Sequence, residues 1–163
     1  MRKKRIYLDT TVISHLRHED VPERMADTLE FWELLIMGKY DVYISEVTTA
    51  ELIRCSEPKR SELLALLSEL RYTEVEVEGN LEIKALAAEI KDLRILPPKS
   101  ENDRLHIAAA VYSECNVIVS WNFQHFVNER TIDGVRMVCM ANHISPVDIY
   151  TPTVLLERGV LSE

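Results

Sequence analysis

Apolar residues fall along this chain in short runs and in helical stripes, and the two kinds of segment alternate. The first run, Arg5–Leu8, reads as a strand, followed by a short helix from Thr11 to about Arg17. Val21–Gly38 places Met25, Leu29, Trp32, Leu35 and Ile36 at helical spacing, with Gly38 as the stop signal. Val42–Ile44 is a second strand, and Ser45 opens a helix bearing Val47, Ala50 and Leu52. Pro58 starts a helix that runs to Leu70, before a third strand over Thr73–Val77. Gly79-Asn80 precedes a helix over Leu81–Leu93, closed by Pro97-Pro98, and Ser100 caps another that reaches about Glu114. Val117–Val119 is wholly apolar, the mark of a strand buried on both faces of a parallel sheet. A short helix over Phe123–Val127 and a last strand over Val135–Met140 complete the pattern.

Strands separated by helices predict an α/β fold, with a central, mostly parallel sheet of about four or five strands flanked by helices. At 163 residues the chain has the size of one domain. Residues 1–145 are expected to form it. Residues 146–163 are expected to be a tail packing on the domain or a partner, since Pro146 and Pro152 interrupt it and Val154-Leu155-Leu156 could dock.

Composition removes several classes. With 47% apolar residues the chain is not disordered. No stretch approaches the ~20 apolar residues of a membrane span. The basic lead Met1–Arg5 is followed by only Ile6-Tyr7-Leu8, short of the roughly 7–15 apolar residues of a signal peptide, so a soluble, cytoplasmic protein is expected. Cys55, Cys115 and Cys139 form no CxxC pair and no zinc-like spacing with the five histidines, which leaves them as buried free thiols. A net charge of −8 argues against a surface that coats nucleic acid generally. It is compatible with a carboxylate cluster beside a local positive groove, for which Arg2–Arg5, Arg54, Lys59, Arg60 and Arg104 are candidates. It also suits a basic protein partner.

Three acids stand where sheet proteins place chemistry. Asp9 follows the first strand directly, at a carboxyl end, where open α/β sheets bind ligands. Its bland reading is an N-cap for the helix at Thr11; Thr10, Thr11 and Ser14 are expected to take that work and leave the carboxylate free. Glu51 competes with a capping box begun by Thr48, and Asp103 with one begun by Ser100. His106, one turn beyond Asp103, is expected to hold it in place rather than act as a base. Asn122, just past the fourth strand, is either a ligand or water-positioning amide or a turn residue. Trp121 and Phe123 read as packing rather than base-stacking platforms. Acids so gathered would recruit Mg²⁺ or Mn²⁺, which activates water and neutralises a phosphodiester.

Ile6–Ser14, Thr48–Ile53 and Asn102–Ala110, in this order, resemble the motifs of the PIN-domain family and of its VapC-type toxin ribonucleases. The resemblance runs from Ile6 to about Met140, and the Asp-x-x-His-Ile-Ala-Ala pattern at Asp103–Ala109 is its most distinctive part. Thr11 stands where Asn or Ser is commoner in the family. The resemblance implies a prokaryotic, Mg²⁺- or Mn²⁺-dependent endoribonuclease with Asp9, Glu51 and Asp103 as metal-binding acids. It implies Asn122 in place of a fourth acid, which favours one metal ion or a second recruited by RNA phosphate. Implied partners are an RNA substrate, a cognate antitoxin of a type II toxin–antitoxin pair, and a second copy of the chain. Two rival readings stand beside this one. A haloacid-dehalogenase-type phosphotransferase would use Asp9 as nucleophile, but the later acids and lysine of that family are hard to find here. A PIN-fold protein that binds without cutting is compatible with Asn122.

Overall fold

Strand β1 (Arg5–Leu8) sits at the centre of a parallel sheet with β2 (Asp41–Ser45) on one side and β4 (Val117–Val119) on the other. The computed structural model describes residues 2–161; Met1, Ser162 and Glu163, which belong to the domain and tail ranges above, lie outside the described residues. β3 (Thr73–Val75) pairs with β2, and β5 (Asp148–Tyr150) with β4, so the strand order is β3-β2-β1-β4-β5. Every pairing is parallel. Between β1 and β4 the strand order reverses, and such switch points open a crevice beyond the carboxyl ends of the strands.

Both faces of the sheet are covered, because the central strands are apolar on both sides. Ile6 and Leu8 of β1, Val42 and Ile44 of β2, and Val117 and Val119 of β4 point into one core. That core is closed by α1 (Thr10–Ser14), α2 (Pro22–Ile36) and α4 (Lys59–Ser68), with Leu155 from α8 (Pro152–Leu161). Tyr7 and Ile118 point to the other side, where α5 (Leu81–Asp92), α6 (Glu101–Tyr112) and α7 (Glu129–Ala141) bury Ile83, Ile107 and Val135. Helix α3 (Glu46–Ile53) runs from the end of β2 and contributes Val47 to one core and Leu52 to the other.

Three expectations change. Val135–Met140 is not a strand: it lies inside α7, whose buried Thr131, Gly134, Val135, Val138 and Cys139 follow helical spacing. Asn128 caps this helix by accepting from the Thr131 amide. Phe123–Val127 forms turns rather than a helix. The buried stripe of α2 is Thr28, Phe31, Trp32 and Leu35, while Leu29 and Ile36 face solvent. Thr28 belongs to the stripe because its hydroxyl donates to the Arg24 carbonyl and accepts the Trp121 indole N–H at 2.8 Å. The segment from residue 146 onward carries β5, an edge strand of the sheet, and α8, which packs on α2.

Candidate active site at the sheet switch point

Asp9 closes β1 and caps α1, so the helix-capping reading holds and its carboxylate is not left free. Oδ1 accepts the Thr11 and Val12 amides at 3.1 and 3.4 Å and the Thr11 hydroxyl at 2.5 Å. Oδ2 accepts the Ser120 hydroxyl at 2.6 Å, across the switch point from the end of β4. Asp9 is 2% exposed. Burial lifts its pKa above the usual carboxylate range, while the Ser120 and Thr11 bonds pull the other way. The hydroxyls follow from the local sequence. Thr11 and Ser120 each lie just past a strand end, and Thr11 also accepts the Trp121 amide, lacing the two loops together.

Glu51 is not part of a capping box. Ser45 and Thr48 form that box at the start of α3, which leaves the Glu51 carboxylate to the site. Its Oε1 accepts the Thr10 hydroxyl at 2.9 Å and lies 2.5 Å from His106 Nε2. Burial pushes the Glu51 pKa up, but the His106 hydrogen bond and charge and the Thr10 bond outweigh it and hold the group below its ordinary value. A carboxylate only accepts, so His106 Nε2 donates to Glu51, while Nδ1 lies 2.6 Å from the Tyr7 hydroxyl on the other side of the ring. The Ser45 hydroxyl shares a hydrogen bond of 2.8 Å with the Tyr7 hydroxyl, which completes a buried relay from β2 through β1 to α6 and α3. His106 therefore holds Glu51, not Asp103.

Asp103 lies in the first turn of α6, where Ser100 makes no side-chain cap bond. Its partner is His125, whose Nδ1 is 2.6 Å from Oδ2. Asn122 is the turn residue of the loop after β4. Its Oδ1 accepts the His125 amide at 2.9 Å and its carbonyl accepts the amides of Phe126 and Val127. Asn122 thus positions His125, and through it Asp103. Tyr7, Ser120 and His125 carry no local sequence mark; Asn122, three residues before His125, was the available hint. Trp121 is packing, at 6% exposure, but Phe123 stands 46% exposed with the Arg24 guanidinium 5.0 Å from its ring centroid. The packing reading fails for Phe123.

The four residues singled out in the sequence share the carboxyl edge of the sheet, but their ligand atoms do not form a preformed cage. Among the described residues, no group of three or more His, Cys, Asp or Glu side chains is arranged to hold a metal ion. The donor chemistry nevertheless fits a hard divalent cation. The donors are oxygens rather than thiolates, and hydrogen bonds within the described residues leave Glu51 Oε2 and Asp103 Oδ1 uncommitted. Mg²⁺ in particular is often held by one or two carboxylates and completed by waters and substrate phosphates. Beside these acids runs an open groove of about 770 Å³ between α3, α5 and α6, lined in part by Arg54, Lys84, Lys91 and Asn102. No helix among the described residues is long and apolar enough to cross a membrane.

The profile of one protein family, described as the PIN domain, matches residues 6–124. No curated protein matches the sequence significantly. Among solved structures, the fold is similar to the crystal structure of VapBC2 from Rickettsia felis bound to a DNA fragment from their promoter. That likeness has a TM-score of 0.57 at 16% identity and covers 90% of this chain and 98% of the other. It is also similar to tyrosyl-tRNA synthetase from Aeropyrum pernix, with a TM-score of 0.50 at 11% identity over 92% of this chain and 52% of that one.

Proposed function

The chain belongs to the PIN domain family, and from that premise we propose that it is a metal-dependent endoribonuclease, the toxin of a type II toxin–antitoxin pair. One observation supports this most. Asp9, Glu51 and Asp103, from three separate elements, line one edge of the sheet, and each is held by a polar neighbour from another part of the chain. Glu51 and Asp103 would hold Mg²⁺ or Mn²⁺ through their uncommitted oxygens, with Asp9 as the third acid. When bound, the ion supplies charge neutralisation for the phosphodiester and lowers the pKa of a water. The chain's own residues set the geometry. Thr11 and Ser120 fix the Asp9 carboxylate, Thr10 and His106 fix Glu51, and Asn122 fixes His125 against Asp103.

The groove beside Glu51 and Asp103 is where an antitoxin segment would lie, and the structurally similar VapBC2 is a complex that supports expecting a protein partner. A homodimer is part of the same reading, with Leu29 and Ile36 as exposed apolar positions on α2. A second reading, a PIN-fold module that binds without cutting, is favoured by the lack of three converging ligands among the described residues. Cleavage of a mixed set of structured RNAs, with Mn²⁺ or with EDTA, separates the two. The nuclease cuts with Mn²⁺ and loses cutting in a folded Asp9→Asn variant. Full activity in that variant removes Asp9 from the mechanism, and a folded protein that neither cuts nor takes up Mn²⁺ is the binding module.

A further inference from the structure

At the opposite end of the strands from the acids lies a second concavity, of about 790 Å³. It is built where the chain enters the sheet. Lys4 precedes β1, Lys39 and Tyr40 precede β2, Val117 opens β4 and Asp148 opens β5. Arg2 and Lys3 join from the amino-terminal segment and Arg158 from α8. Five cations therefore line one wall of a protein whose net charge is −8. Among the described residues none of the five is in an ion pair. The cavity's acid, Asp148, faces Arg136 at 3.7 Å instead.

Five like charges around one hollow raise its positive potential, and an anion seated there relieves their mutual repulsion. Two of the charges are also held in place: the Arg158 guanidinium lies 4.3 Å from the Tyr150 ring centroid, and Lys39 Nζ lies 5.9 Å from that of Tyr40. An aromatic-braced arginine fork presents paired N–H donors that match the oxygens of a phosphate, and the surrounding lysines add point charges that suit a chain of them. We propose that this cavity is a second nucleic-acid site, binding the backbone phosphates of a single-stranded stretch of RNA at the end of the sheet away from the acids. The choice of RNA as the polyanion rests on the ribonuclease reading; the cation cluster does not. The site would hold substrate while the acidic edge, which repels a polyanion in the absence of metal, acts on it.

The test is fluorescence anisotropy of a short labelled single-stranded oligoribonucleotide, titrated in EDTA so that nothing is cut, over salt from about 50 to 200 mM. Each lost phosphate contact lowers the slope of log affinity against log salt by about 0.7 for a single strand, so Lys3→Gln/Lys39→Gln/Arg158→Gln should flatten it by about 2. All three side chains are exposed, so the fold should be kept. A second triple, Lys3→Gln/Lys4→Gln/Lys39→Gln, leaves Arg158 on Tyr150 and should behave alike. An unchanged slope in both triples overturns the site. So does a slope that responds only to Arg54→Gln/Lys84→Gln in the groove beside the acids. Competition by inorganic phosphate, a free nucleotide or polyglutamate as effective as by unlabelled RNA overturns RNA as the occupant. Weakened binding in the triples supports the site whether or not the protein cuts, so its fate is separable from that of the nuclease reading.

Discussion

Replacing Ser120 by Ala removes the one hydroxyl that crosses the switch point to Asp9. Ser120 is fully buried, donates to Asp9 Oδ2 at 2.6 Å and accepts the Asn122 amide at 2.9 Å. A hydrogen bond to a charged group contributes about 1.5–3 kcal/mol, and an orphaned amide costs about 1 kcal/mol more. The expected loss at neutral pH is thus about 2–4 kcal/mol, or roughly 1–2 M in urea midpoint for an ordinary slope. The loss should depend on pH. Burial raises the folded-state pKa of Asp9 above its unfolded value, so between the two values the folded state holds a proton that the unfolded state releases. Stability from this group therefore falls as pH rises through that window. The Ser120 bond favours the charged form and counteracts the trend. Variant and wild type should accordingly lie closest at acid pH, where Asp9 is neutral, and separate as pH rises to neutrality. Urea unfolding of both proteins in EDTA reads the difference, and other titrating groups cancel in it. A gap that is constant across the acid range, or wider at low pH, would falsify the account of the Ser120 bond as one that favours the charged form of a buried Asp9.

Three other outcomes follow from single contacts. A Cβ at Gly134 of α7 would lie 2.6 Å from Ile95 Cδ1, so Gly134→Ala should destabilise by about 1–3 kcal/mol; in an Ile95→Ala background the same change should instead gain about 0.5–1 kcal/mol from helix propensity, and a double-mutant cycle by urea unfolding shows whether the sign reverses. Tyr7→Phe orphans His106 Nδ1 and the Ser45 hydroxyl in a buried relay, which predicts a loss of about 1–3 kcal/mol and a lower melting temperature; an unchanged calorimetric midpoint rules the relay out. Burial pushes the Cys115 thiol up to about 12 and also raises that of Cys139, so a colourimetric thiol reagent should titrate Cys55 alone in the native protein and all three thiols in denaturant; rapid native reaction of more than one contradicts the buried assignment.

Where the sequence pattern was unambiguous, the elements formed as read. β1 and β4 are short apolar runs beside turn signals, and both became central strands buried on two faces. Val135–Met140 misled because a short apolar run fits a strand and one turn of a buried helix equally well; the Asn128 cap and the buried stripe from Thr131 to Cys139 separate the two. The stripe of α2 was misread for a related reason: Thr28 counts as polar until the Trp121 indole is placed on it. His125 was missed because its partner Asp103 is 22 residues away, beyond any local period.

The sequence by itself determined the alternation of strands and helices as far as β4, and hence a parallel sheet, because burial periodicity is a local property of the chain; α7 and β5 were decided by packing. It also marked Asp9, Glu51, Asp103 and Asn122, because the end of a strand and the start of a helix can be read from neighbouring residues. Which donor each acid meets was decided only by the tertiary structure. The order β3-β2-β1-β4-β5 sets Ser120 against Asp9, and the packing of α6 on α3 sets His106 against Glu51. The same order gathers Lys4, Lys39 and Arg158, far apart in the chain, around one cavity at the other end. Coulomb and hydrogen-bond energies depend on distances in space, and those follow from strand order and packing rather than from spacing along the chain.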